Sequence, residues 1–293
     1  MTCVAAFGGR QTRYDEIGDP GAPALVLVSG IGGHLLGWPT ELCDQLAAQG
    51  LRVVRFDLRD TGFATRTPTP PPRPLPDGSL DAVAPYGLRD LAADMVGLMD
   101  VLGIERAHAA GISFGGMVVQ RLAIDRPDRV ASLIPIMTST GGPDVGGSTP
   151  EAIDPIMRPT DGTLDAVTAN ALEFARVCGG PFVDEDLLRR LTAASYERAY
   201  HPDAKAYHYA AFVADGDRTA ELATVQAPTL VIHGHADRLI DISGGRAIAA
   251  SIPGADLVEM AELGHSLAVP GLWGRLVDLI SAHVLAAEAA APS

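Results

Sequence analysis

A serine with a glycine two residues away on each side, Gly111-Ile112-Ser113-Phe114-Gly115, stands where a buried apolar run ends and a helical pattern begins. A serine hydroxyl is a poor nucleophile until a base takes its proton, and the base needs a carboxylate to orient its ring. Both groups occur downstream, in the order carboxylate then imidazole. Asp237 follows the apolar run Thr229 to His233 through the turn Gly234-His235-Ala236, and His265 follows a later run, Ala255 to Met260, through Glu262-Leu263-Gly264. Such a set performs acyl transfer: attack by Ser113, proton transfer through His265, and orientation of the imidazole by Asp237.

Acyl transfer also needs donors for the negative charge that develops on the carbonyl oxygen. The backbone N–H of Phe114, next to the nucleophile, is one. The glycine-rich turn Ser29-Gly30-Ile31-Gly32-Gly33 offers the other, assigned to Ile31. This turn lacks the Lys-Ser/Thr ending and the spacing of a phosphate-binding loop. Trp38, shortly after it, is the expected pocket-lining residue; Met157, Phe174, Phe182, Tyr196, Tyr200 and Tyr207 are aromatic and apolar candidates whose helical spacing is more often that of packing than of substrate contact. Rivals to the triad have structural roles. His233 falls within a strand, His108 starts one, His34 lies in the glycine loop, and Asp241 and Asp60 stand in for Asp237 less well.

These groups converge only if strands and turns bring them to one edge. Ala24 to Ser29, Arg52 to Asp57, Ala107 to Gly111, Val130 to Met137 and Thr229 to His233 are short continuous apolar runs, as strands buried on both faces of a parallel sheet are. Helical spacing fills the intervals at Trp38 to Gln49, Leu88 to Leu102, Ser113 to Asp125, Gly244 to Ser251 and Leu272 to Ala287. The alternation predicts an α/β fold: an open, mostly parallel sheet with helices on both faces, and Arg13 to Ile17 as part of an antiparallel edge hairpin. It breaks between Thr140 and Val225, where helical patterns have no buried strand among them. The expected organisation is a core of residues 1–139 and 226–293 with a helical insertion at 140–225. The Pro-rich run Thr67 to Pro76 is expected in extended polyproline II geometry, and Glu288 to Ser293 as a frayed tail.

Composition narrows the partners. The chain has 293 residues and a formal net charge of −14, with 22 Lys and Arg against 36 Asp and Glu, so no basic patch tracks phosphates and nucleic acid is excluded as a partner. No apolar stretch reaches membrane-span length, and Met1 to Gly9 has neither the basic nor the apolar part of a signal peptide, which predicts a cytoplasmic protein without membrane association. Cys3, Cys43 and Cys178 are three in number and far apart, a pattern of neither disulfides nor zinc. No His, Cys and carboxylate cluster has metal-ligand spacing, so no metal and no cofactor is expected.

From about Gln11 to Ala287 the chain resembles the α/β-hydrolase superfamily through Ser113, Asp237 and His265. More narrowly it resembles the aclacinomycin methylesterase-like serine hydrolases of actinomycete antibiotic pathways, through Leu36-Gly37-Trp38-Pro39, Arg59-Asp60-Thr61-Gly62, Pro85-Tyr86-Gly87-Leu88, Leu91-Ala92-Ala93-Asp94 and the serine turn itself. The resemblance implies a four-helix cap over the site and hydrolysis of a small-molecule carboxylic ester. Phe114 stands where such enzymes commonly carry methionine, and the Pro-rich run is foreign to the pattern. Lactonase, perhydrolase or haloperoxidase, and carbon–carbon bond hydrolase chemistry use the same triad, and a non-catalytic ligand receptor can use the same fold. The serine argues against the aspartate-nucleophile dehalogenases and epoxide hydrolases.

Overall fold

Runs such as Ala24-Leu25-Val26-Leu27-Val28 send alternate residues to opposite faces, so a strand this apolar is stable only with a layer on each side. The computed structural model, which describes residues 2–75, 78–158 and 160–290, has that arrangement. Eight strands form one sheet in the order β1-β2-β4-β3-β5-β6-β7-β8. Six are parallel: β3 (Ala24–Val28), β4 (Arg52–Phe56), β5 (Ala107–Ile112), β6 (Val130–Ile136), β7 (Leu230–Gly234) and β8 (Asp256–Met260). Leu25 and Leu27 pack with Leu42 and Leu46 of α1 (Thr40–Ala48) and with Trp273 and Leu276 of α10 (Pro270–Ala290). Val26 and Val28 join the other core, with Leu91 and Met95 of α2 (Leu88–Val101), Val118 and Leu122 of α3 (Phe114–Asp125) and Ile248 of α9 (Ile242–Ser251).

The antiparallel edge is larger than expected. The expected segment belongs to β2 (Arg10–Ile17), whose hairpin partner is the preceding strand β1 (Cys3–Phe7). Gly8 and Gly9, at φ +54° and +74°, form the two-residue turn between them; both central residues of such a turn adopt positive φ. At the other end α10 continues to Ala290, so Glu288 is not frayed: its Oε1 lies 3.0 Å from Nε2 of buried His108, while 291–293 lie outside the described residues. The Pro-rich run is tied down as well, Thr69 accepting a hydrogen bond from the Tyr207 hydroxyl and Pro74 pairing with Leu80; Pro76 lies outside the described residues.

Between β6 and β7 come α4 (Pro150–Met157), α5 (Leu164–Cys178), α6 (Glu185–Ala199), α7 (Ala204–Asp215) and the single turn α8 (Thr219–Leu222). Charged anchors join them to the sheet layer. Arg198 of α6 grips Asp57, beyond β4, through two bonds of 3.0 and 2.9 Å, and Asp57 also accepts the N–H groups of Leu35 and Phe63. Arg121 of α3 reaches Asp215 at 3.1 Å and Glu221 at 2.8 Å, and buried Arg218 reaches Asp215 at 2.8 Å and the Ser139 carbonyl at 3.3 Å. Removing one partner of a buried pair strands the other charge, whereas an exposed pair contributes little. We therefore expect Arg198→Leu to lower the free energy of unfolding by about 3 kcal/mol. Arg158→Leu, which breaks the exposed pairs with Asp154 and Glu173, should cost under about 1 kcal/mol. Equal losses for the two variants in urea unfolding would contradict this ranking.

Candidate active site

Ser113 sits between β5 and α3 with φ 53° and ψ −121°, a conformation in the positive-φ region that costs a non-glycine residue on the order of 1–3 kcal/mol. Its neighbours hold it there. Its N–H donates to the Ile136 carbonyl at 2.9 Å, and the turn is packed backbone to backbone. A Cβ on Gly111 would lie 2.2 Å from the Gly115 carbonyl oxygen, and one on Gly115 would lie 2.3 Å from that of Val28. The two glycines of the motif thus bring α3 onto the carboxyl ends of β3 and β5.

Asp237 and His265 come together at the same sheet edge. The turns after β7 and β8 are bonded to each other, the N–H of Ala236 donating to Leu263 and that of His235 to Met260, while the N–H of His265 donates to the Cys178 carbonyl at the end of α5. Imidazole Nδ1 of His265 lies 2.7 Å from Asp237 Oδ2, and Asp237 Oδ1 accepts the N–H groups of Leu239 and Ile240, each at 2.9 Å. The carboxylate is fully occupied and buried, so the proton on His265 is held at Nδ1 and Nε2 is free to accept. Ser113, 8% exposed, makes no hydrogen bond to His265 among the described residues.

The glycine turn lies beside the serine: a Cβ on Gly30 would meet Ser113 Cβ at 3.6 Å. Among the described residues, the N–H groups of Ile31 and Phe114 have no hydrogen-bond partner, whereas that of Gly33 donates to Gly30 and that of Gly32 to Nδ1 of His208 at 3.0 Å. Sequence reasoning did not single out His208. On α7 it lies among apolar residues, Ala204, Tyr207 and Ala211, and nothing in that pattern separates it from a packed histidine.

Trp38 requires correction. It has no exposed surface; its indole N–H donates to the Val28 carbonyl at 3.1 Å and its ring packs with Leu25, Leu27 and Cys43. The turn of 3-10 helix at Leu35–Gly37 carries the chain under the sheet, so Trp38 is core rather than pocket lining. Among the aromatic candidates, Phe174 of α5 meets the Asp237–His265 pair, its ring edge-on to His265 at 6.1 Å between centroids. Tyr196 stacks on Tyr200, Tyr207 on Tyr86, and Phe182 is exposed; the Met157 side chain lies outside the described residues. The rivals serve structure: Asp241 caps α9, Asp60 accepts from Thr67, and His233 donates through Nε2 to the Ile240 carbonyl at 2.8 Å. Burial pushes the Cys43 and Cys178 thiols up to about 12, leaving neither as a nucleophile near neutral pH.

The sequence and fold have known relatives. The family model for the alpha/beta hydrolase fold matches residues 23–271, and the chain belongs to that family. It is 30% identical over 300 residues to the rhodomycin D methylesterase of Streptomyces sp. (strain C5), covering 94% of this chain and 96% of the relative. A second rhodomycin D methylesterase, from Streptomyces peucetius, matches at 30% over 301 residues, again 94% and 96% of the two chains. Among solved structures, a hydrolase from Pseudomonas aeruginosa is 26% identical with a TM-score of 0.70, covering 99% of this chain and 98% of that one. The fold also matches the 2-hydroxy-6-oxo-6-phenylhexa-2,4-dienoate hydrolase of a Rhodococcus strain at a TM-score of 0.76 and 20% identity, over 97% and 98% of the chains.

Several histidines around this edge are held neutral. Burial pushes His34 and His233 below the ordinary histidine value and His208 down to about 4. The unfolded chain therefore binds protons near pH 6.5 that the folded chain does not take up until a lower pH, so stability is full above about pH 6.5 and falls toward pH 4. We expect the urea midpoint to be flat from pH 8 to 7 and to drop between pH 6.5 and 5, measured at about 0.15 M salt to screen the net charge. Midpoints equal at pH 7.5 and pH 5 would show that these imidazoles titrate normally in the folded state.

Proposed function

We propose that the chain is a cofactor-free serine esterase that hydrolyses small-molecule carboxylic esters through an acyl-enzyme. The observation that carries the reading is the Asp237–His265 bond of 2.7 Å at the sheet edge where the strained Ser113 turn emerges. Ser113 Oγ attacks the ester carbonyl carbon while Nε2 of His265 accepts its proton. The carbonyl oxygen becomes an alkoxide between the N–H groups of Ile31 and Phe114, the latter also at the amino end of α3, whose dipole favours negative charge. Collapse of this intermediate expels the alcohol, which takes the proton back from His265. Water, activated by the same imidazole, then releases the acid. Asp237 holds Nδ1–H throughout and stabilises the imidazolium that forms twice per turnover. The step needs no metal or organic cofactor.

Residues 140–225 act in this reading as a cap that shapes the acyl or alcohol pocket, with Phe174 reaching the base from α5. The two methylesterases at 30% identity, matched along nearly their whole length, support methyl esters of aromatic or polyketide-like compounds as the substrate class.

Three measurements test the chemistry. Ser113→Ala and His265→Ala should each lower kcat by about a thousandfold or more with folding intact, because nucleophile and base act as one unit. Asp237→Asn should fold yet turn over slowly, since an amide no longer enforces the Nδ1–H tautomer. A fluorophosphonate probe should label Ser113 stoichiometrically. No labelling and no hydrolysis across a panel of esters would favour a ligand receptor, and near-native turnover by Ser113→Ala would sink the serine mechanism. For recognition, Phe174→Ala should alter kcat/KM for aromatic methyl esters several-fold more than for a small acetate ester. Equal changes on both would place Phe174 in the scaffold.

A further inference from the structure

His208 is fully buried, and its ring contacts Gly32, the residue after Ile31, and the ring of Phe114. Nδ1 lies 3.0 Å from the Gly32 nitrogen and Nε2 lies 2.9 Å from the Arg59 carbonyl oxygen. A carbonyl can only accept and a backbone N–H can only donate, so the proton is on Nε2 and the lone pair at Nδ1 faces Gly32. The imidazole also lies flat on the Phe114 ring, at 4.6 Å between centroids and 8° between planes. Gly32 directly follows Ile31, and Phe114 directly follows Ser113.

One ring thus contacts the chain at both donors, through a peptide beside Ile31 and through the side chain of Phe114. The bond to Gly32 fixes the peptide plane on the carboxyl side of Ile31, which limits rotation of the Ile31 N–H, and the stacking fixes the side chain of the residue whose N–H is the second donor. The close approach depends on glycine: Gly32 has φ +67°, and a Cβ there would lie 2.6 Å from Lys205 Cγ, one turn before His208 on α7. We propose that His208, as a neutral imidazole, is a positioning residue that sets the separation of the Ile31 and Phe114 amides and couples the inserted helices to the alkoxide site. This rests on the serine esterase reading. Burial keeps the ring neutral through the working range, its value pushed down to about 4. A protonated ring would point an N–H at the N–H of Gly32, so the arrangement requires the neutral form.

The experiment compares four variants by kcat and KM on an aryl ester and by affinity for an alkyl trifluoromethyl ketone, whose serine adduct carries an oxyanion. His208→Leu removes both polar contacts. His208→Asn can present its amide oxygen where Nδ1 was and keep the Gly32 bond. His208→Gln reaches toward Arg59 instead. Ser113→Ala reports on the underlying mechanism. We expect His208→Leu to lose about 10- to 100-fold in kcat with KM within about threefold, and ketone affinity to fall in parallel. His208→Asn should recover most of that loss, and His208→Gln should recover less. Wild-type kcat in folded His208→Leu, a loss confined to KM, or His208→Gln equal to or better than His208→Asn would overturn the proposal; the last comparison decides it even if the Leu variant does not fold. If Ser113→Ala retains turnover, the esterase reading falls and takes this inference with it. If Ser113→Ala is inactive and His208→Leu is normal, only the positioning role falls.

Discussion

The backbone of Gly115 lies so near the carbonyl oxygens of Val28 and Ser29 that an added Cβ would be within 2.5 Å of both. This contact draws the first turn of α3 down onto β3 and sets the distance between the glycine turn after that strand and the serine turn after β5. If the contact were looser, Gly30 would not meet Ser113, and the glycine turn would not lie beside the serine turn. The strain at Ser113 follows from the same packing, since the chain must reverse within one residue to enter α3. The surrounding close contacts hold that conformation, as a strained residue needs if it is to persist.

The helices between β6 and β7 meet this edge through polar groups that are costly to bury, and their placement shows what that burial secures. Apolar contacts alone would let α6 and α7 slide, because apolar packing has little directional preference. The two-bond grip of Arg198 on Asp57, and the Arg121–Asp215–Arg218 cluster, each admit one register. His208 then carries that register to the glycine turn through a directional hydrogen bond. Asp57 serves both sides, since it also accepts the N–H groups of Leu35, in the segment after β3, and of Phe63, in its own loop, and a Cβ on Gly62 would strike its carboxylate.

Much of this was legible in the sequence because parallel strands buried on both faces leave continuous apolar runs, and Ser113, Asp237 and His265 follow such runs in chain order. The edge hairpin was legible in part, at Arg13 to Ile17; the turn Gly8-Gly9 carries the signal for the rest of it. Trp38 follows the glycine turn closely in sequence, but three residues of 3-10 helix carry the chain away and its indole packs in the core. His208 could not be found, since its two partners, Gly32 and Arg59, lie 176 and 149 residues away and belong to separate loops. The helical spacing of Phe174 and Tyr207 was visible, but whether a ring faces His265 or another tyrosine depends on how the helices are docked, which composition does not encode.

The tautomers around Asp237 explain why two histidines can sit near one carboxylate without competing for it. His233 Nε2 is 3.6 Å from Asp237 Oδ2, close enough to divert the carboxylate if it donated there. Its proton goes instead to the Ile240 carbonyl at 2.8 Å, and the N–H of that same Ile240 donates to Asp237 Oδ1. Ile240 therefore satisfies the rival imidazole and orients the carboxylate at once, leaving Oδ2 to His265 alone. Gly245 lets the His233 ring lie against α9, since a Cβ at that position would come within 2.6 Å of its Nδ1. The selectivity of the Asp237–His265 pair thus depends on a backbone group and a glycine that take no part in proton transfer.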